Sequence, residues 1–139
     1  MARATPEKKV DHVLQQGTFG HRWHEASAQA QRCVVRSTLH VLRGKWKLLI
    51  LSLLLDGPRR YGELRAALPE VSEKMLIQHL KELEQDQLVV RTSYPEVPPR
   101  VVYTLTDHGR RLLPLFDAML AWGAAYWADP EVQAGPCPL

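Results

Sequence analysis

Apolar positions change period along this chain, and each change predicts an element. In "VVRSTLHVLRG", Val35, Leu39 and Leu42 recur at near-helical spacing, and Gly44 is placed to end the helix. The next stretch, "KWKLLILSLLLDG", is apolar on almost every side and predicts the central buried helix. "PRRYGELRAALP" predicts a short helix from about residue 61 to 68, bracketed by Pro58 and Pro69. In "SEKMLIQHLKELEQD", Leu76, Leu80 and Leu83 form one stripe, Ser72 is a natural N-cap and Glu73 suits the first turn. "VVRTSYPEVPPRVVYTLT" then alternates β-branched and aromatic residues around a tip with three prolines, which predicts a hairpin. Alternation puts Leu88, Val90 and Thr92 on one face, across from Val101, Tyr103 and Leu105. Thr106 caps a last, long helix to about Trp127, bent near Pro114.

Four helices, two strands and a helix make a mainly α fold with a small β-hairpin. The pair at 61–68 and 72–86 reads as helix-turn-helix, and the hairpin directly after it as a wing. Residues 1–31 lack steady periodicity and form an extension without an assigned role. Residues 32–128 are expected to form the folded domain, and 129–139, punctuated by Pro and Gly, a flexible tail.

Composition adds limits rather than an identity. The 139 residues are 45% hydrophobic, enough for one core. The longest apolar run, Leu48 to Leu55, is interrupted by Ser52 and is too short to cross a bilayer. With no apolar signal core near the start, a cytoplasmic protein is expected, and Cys33 and Cys137 are expected to remain thiols. Net charge is only +3, but it is unevenly placed. From Arg32 to Arg111 there are 14 bases and 9 acids, a balance of +5, whereas residues 112–139 hold 3 acids and no base. A polyanion would meet the centre of the chain.

At 100° per residue, the side of the 72–86 helix opposite its leucines carries Lys74, Gln78, Lys81 and Gln85. Amides suit adenine edges and lysines suit guanine or phosphate, while Met75 and Ile77 flank this face where thymine methyls would lie. In isolation such a face reads as solvated surface. The short helix before it and the basic hairpin after it favour groove docking. Pro95, Pro98 and Pro99 cannot donate ladder bonds, so they blunt the edge and stiffen the tip. Arg91 and Arg100 then lose less entropy on gripping a phosphate or entering a minor groove. The plainer alternative is a structural hairpin with solubilising arginines.

The segments "GKWKLLIL", "DGPRRYGELRAALPEVSEKMLIQHLKELEQDQLVVRT" and "YPEVPPRVVYTLTDHGRRLLP" resemble the HxlR-type winged helix-turn-helix transcriptional regulators of bacteria. The resemblance spans about 95 residues, from about Cys33 to Trp127, in unbroken order. It implies a dimeric, nucleoid-associated regulator of double-stranded DNA, with the helix after Ser72 in the major groove. His79 stands where such sequences usually have arginine, and Ile77 where threonine is common. Gln87 replaces a usual glycine, so that turn loses its easiest left-handed residue. Ser72 and His79 join the expected DNA-contacting set on this basis. Arg59 and Arg60, just before the helix pair, are assigned to phosphate contact, and Tyr61 to the core.

Apolar residues on the last helix include Leu115, Phe116, Met119, Leu120, Trp122 and Trp127, more than one helical stripe. A domain this small cannot cover them all, so a second copy is the expected cover, joined by the helix bearing Val35, Leu39 and Leu42; the alternative is that the aromatic end folds back onto the extension at residues 1–30. Two-fold symmetry would set two reading helices about one DNA turn apart. Cys33 lies where several members of the family carry a redox- or electrophile-sensing cysteine, and Arg32 and Arg36 would favour its thiolate. An inert, buried thiol is the other reading, so a small-molecule or oxidant effector stays open. Among the scattered histidines, "HRWH" with Cys33 makes a poor ligand set, and no metal or cofactor is expected. No nucleophile–base spacing, phosphate-cradling glycine loop or paired acids point to an enzyme. A winged-helix module that binds protein instead of DNA is the alternative function.

Overall fold

The stripe of Leu76, Leu80 and Leu83 is fully buried, and the fold is arranged around it. The computed structural model describes residues 23–132. Its elements are α1 (Ala28–Val41), α2 (Lys45–Leu55), β1 (Arg59–Arg60), α3 (Tyr61–Ala67), α4 (Glu73–Gln85), β2 (Val89–Tyr94), β3 (Arg100–Leu105), α5 (Asp107–Arg110) and α6 (Leu113–Trp127). Two compact units are distinguished. Thr38–Pro114 holds the helix pair and the sheet; the other contains the first part of α1 and most of α6. No described helix is long and apolar enough to cross a membrane.

The core of the first unit comprises Ile50, Leu51 and Leu54 of α2, Leu64 of α3, the α4 stripe, and Val89, Tyr103 and Leu105 of the sheet. Although α2 is apolar nearly all round, it is not buried all round. Lys47, Ile50, Leu51 and Leu54 form the buried face, whereas Leu49 is exposed. Between α3 and α4, Arg65 braces the turn by donating to the Val71 carbonyl at 2.7 Å. Ser72 caps α4 as its sequence predicts, its Oγ accepting from Met75 N at 3.2 Å.

Three sequence expectations change in the sheet region. Arg59–Arg60 forms a third strand, giving the order β1-β3-β2. The hairpin register also differs by one residue from simple alternation. Val89, Arg91 and Ser93 pair with Leu105, Tyr103 and Val101, and Val90 is exposed. The cause is the exit from α4: Leu88 N bonds back to Leu83 O at 2.9 Å, so Leu88 is buried as part of the turn and Val89 is buried next to it. Finally, the single bent helix after Thr106 is two helices, because Pro114 offers no N–H to continue the ladder. Here Thr106 Oγ1 accepts from Gly109 N at 3.0 Å and donates to Gln87 O at 2.6 Å. Gly109 is required, since a side chain there would strike the Leu88 carbonyl.

Helix α1 begins at Ala28, inside the stretch assigned to the extension, while most of that extension and the tail beyond residue 132 lie outside the described residues. Gln87 has φ +58°, the left-handed conformation expected where a glycine would be easiest. Exchange to glycine removes a Cβ penalty larger than the added unfolded-state entropy. Gln87→Gly is therefore expected to stabilise by about 0.5–1 kcal/mol and to raise Tm by roughly 2–4 °C in a thermal melt. An unchanged or lower Tm would contradict this reading of the turn.

Candidate nucleic-acid interface

Burying Leu76, Leu80 and Leu83 forces the opposite side of α4 outward. Lys74, Gln78, Lys81 and Gln85 are all exposed, with Met75 and Ile77 exposed beside them. His79 departs from the expected set. It follows Leu76 by three residues, so it borders the buried stripe, and its side chain is only 13% exposed. Its Nδ1 lies 3.9 Å from Glu82 Oε2, and neither ring nitrogen has a hydrogen-bond partner among the described residues.

A concavity opens between α4 and the hairpin, lined on its cationic side by Arg60, Lys81, Arg91 and Arg100. Glu63, Glu73, Glu84 and Glu96 also line it, so the surface alternates in sign. Arg60 is held by its own backbone, whose N–H donates to Glu63 Oε2 at 2.7 Å and leaves the guanidinium exposed. Arg59 does not line the concavity. Its side chain reaches the Leu53 carbonyl at 3.4 Å and Asp56 at 3.9 Å, so it acts mainly within the fold. Tyr61 is half-buried at the edge rather than in the core; burial, then the carboxylate of Glu73 that accepts its hydroxyl, raise its proton affinity above the usual phenol value.

The two wing arginines are not equivalent. Arg91 pairs across the ladder with Tyr103, on the face toward α4, and is exposed. Arg100 pairs with Tyr94 on the opposite face of the pleat. Its guanidinium lies 4.2 Å from the Tyr94 ring centroid and 3.1 Å from Glu96 Oε1. Arg91 is thus exposed, whereas Arg100 is engaged by Glu96 and Tyr94.

Sequence reasoning overlooked Lys47. Its side chain is 4% exposed, and Nζ meets Glu82 Oε2 at 2.7 Å, Asp86 Oδ2 at 3.9 Å and the Val41 carbonyl at 3.4 Å. The signal was present, because Lys47 shares the helical stripe of Ile50, Leu51 and Leu54. A buried ammonium needs a fixed anionic partner, so this contact sets how α4 rolls on α2. The hydrogen bond from Lys47, followed by that from Gln78, holds the Glu82 carboxyl down at about 2.

The apolar helices remain uncovered. Neither α1 nor α6 buries a residue, and Val35, Leu39, Leu115, Met119, Leu120, Trp122 and Trp127 are exposed, with Phe116 half-buried. Trp122 stacks on Tyr126 at 4.7 Å. Leu42 differs from this group: at 6% exposure it belongs to the core of the Thr38–Pro114 unit and is not free for an interface. Cys33 is free and exposed on α1, which overturns the buried-thiol reading for the chain as described; Cys137 lies outside the described residues.

Short helix, turn, capped helix and a stiff basic hairpin together define a winged helix-turn-helix protein. Residues 41–131 match the model of the HxlR-like helix-turn-helix family, and the chain belongs to that family. It is 36% identical over 122 residues to an HTH-type transcriptional regulator of Methanothermobacter thermautotrophicus, covering 88% of this chain and 93% of that one. Among solved structures it resembles the reduced form of the transcriptional regulator YodB from B. subtilis, at TM-score 0.60 and 42% identity, covering 68% of this chain and 92% of YodB. It also resembles the oxidised redox regulator HypR, at TM-score 0.63 and 42% identity, covering 67% and 96%. The first two of these relatives are transcriptional regulators, the class that the resemblance in the sequence implied.

Glu82 provides a pH test. Its folded-state proton affinity is depressed, so its stabilising contribution is complete above the ordinary value of 4.5 and is lost as pH falls toward about 2. Chemical denaturation across that window should show the loss, and Lys47→Met should flatten it. Parallel pH profiles for the two proteins would refute the coupling.

Proposed function

We propose that the protein is a homodimeric, sequence-specific DNA-binding transcriptional regulator acting on an inverted-repeat operator. One observation carries the proposal: the exposed stripe of Lys74, Gln78, Lys81 and Gln85 stands beside a concavity rimmed by Arg60 and Arg91. In this reading α4 enters the major groove, with Ser72 and Lys74 at its leading end and Met75 and Ile77 against methyl groups. Arg60, Lys81 and Arg91 neutralise phosphates, and Arg100 joins only after exchanging Glu96 for the backbone. The acids in the concavity favour register over raw affinity, since a phosphate placed against them is repelled.

The uncovered apolar faces of α1 and α6 support self-association, with a second copy covering Val35, Leu39, Leu115, Phe116, Met119, Leu120, Trp122 and Trp127. Cys33 is the proposed oxidant- or electrophile-responsive group. Its exposure on α1, beside exposed Val34 and Val35, supports a coupling between thiol chemistry and that interface, and redox regulators occur among the similar structures. A cytoplasmic site of action at the nucleoid follows from the function.

Selection of binding sites from random DNA by the purified protein, with and without an oxidant, tests this reading. The expected product is an inverted repeat whose half-sites lie about one helical turn apart. With that operator, Gln78→Ala should lose about 1–3 kcal/mol on the cognate site and almost nothing on unrelated DNA. Arg91→Ala should weaken binding to every sequence and lower the salt slope by about 1. Binding that resists salt, or enrichment of no sequence, would instead favour a protein-binding module.

A further inference from the structure

On the outward stripe of α4, the amide of Gln78 is held by a side-chain hydrogen bond. Its Nε2 donates to Glu82 Oε1 at 3.0 Å, and the other oxygen of that carboxylate accepts from Lys47 Nζ at 2.7 Å. Lys47 is rooted in the buried face of α2, so the chain of contacts runs from the core to the reading surface. We propose that Glu82 is a specificity-determining positioning residue, which fixes the amide of Gln78 so that it reads adenine in preference to guanine. The proposal rests on the DNA-binding function argued above and goes further, to the base preference of one position in each half-site.

Donors and acceptors decide the orientation of this amide. An ionised carboxylate only accepts, so the nitrogen end of the Gln78 amide must face Glu82. Lys47 and Gln78 keep the Glu82 carboxyl far below neutrality, so it remains an acceptor under any condition in which DNA is bound. One Nε2 hydrogen is committed to Glu82. The amide then has one N–H and its carbonyl oxygen left to face the groove. Adenine offers an acceptor at N7 and a donor at N6, which match that pair; guanine offers acceptors at both N7 and O6. Against guanine the Gln78 oxygen would oppose O6, an acceptor facing an acceptor. Without Glu82 the amide could turn end for end and offer its NH2 group to guanine. His79, the other group near the Glu82 carboxylate, lies 3.9 Å away and outside hydrogen-bond distance, so it does not set the orientation of Gln78.

Glu82→Gln tests the idea with little change in shape. Lys47 would retain the oxygen of the new amide, and the NH2 group would face Gln78. Gln78 could accept that bond only by turning its own oxygen inward, which leaves its NH2 group toward the base. Site selection with the wild type, Gln78→Ala and Glu82→Gln, followed by affinity measurements on operator pairs differing at one base pair, reads the outcome. The wild type should prefer adenine over guanine roughly tenfold or more at one position of each half-site. Gln78→Ala should lose preference there alone, and Glu82→Gln should abolish it or transfer it to guanine. The ratio of affinities for two operators does not depend on the folded fraction of the protein, so lost stability cannot imitate this result. An unchanged adenine preference in Glu82→Gln, or a position governed by Gln78 that does not prefer adenine, would overturn the role of Glu82 alone. Failure of the wild type to enrich any DNA would overturn both this role and the DNA-binding reading beneath it.

Discussion

A buried ammonium is the constraint from which the rest of the arrangement follows. Lys47 sits on the core face of α2, where an unpaired charge would be costly, and it finds Glu82 and Asp86 near the end of α4. Hydrophobic burial of Leu76, Leu80 and Leu83 would by itself allow α4 some rotation and sliding, because apolar contact is not directional. The ion pair is directional. It selects one roll of the helix and so determines which polar side chains face solvent. The cost of placing a charge in the core is offset by a defined orientation for the surface that matters.

The second determinant is the turn that leaves α4. Gln87 adopts the left-handed conformation, Leu88 bonds back to Leu83, and Thr106 ties Gln87 to the start of α5. These few residues launch β2 with Val89 inward, which in turn places Arg91 beside Tyr103 and toward α4. Had the strand started one residue later in phase, Arg91 would stand on the far face. The resulting surface is not uniformly positive. Its alternation of arginine, lysine and glutamate fits the proposed role in which charge sets register, while Arg100 is engaged by Glu96 and Tyr94.

Much of this fold was legible because its helices obey one period. Ser72, the leucine stripe of α4 and the outward polar face can all be read from spacing alone, and the structure places them as expected. Elements that depend on partners were harder. Two residues of β1 carry no periodicity, and only pairing with Tyr103 and Val102 makes them a strand. The hairpin register was hidden by consecutive burial of Leu88 and Val89, which belongs to the turn and not to strand alternation. Leu42 and Tyr61 were misplaced between surface and core because amphipathic spacing does not say which neighbour covers a residue. Lys47 and His79, by contrast, could have been placed from helical angle, since both adjoin apolar stripes.

One side of α4, together with Arg60 and Arg91, is the single surface proposed to meet DNA. Amide chemical-shift mapping during titration with the selected operator examines that surface residue by residue. The largest changes should fall on Lys74, Gln78, Lys81 and Gln85, with further changes at Arg60 and Arg91 and little effect on the buried face of α2. Changes concentrated instead on the exposed faces of α1 and α6, with the outward stripe of α4 undisturbed, would contradict it.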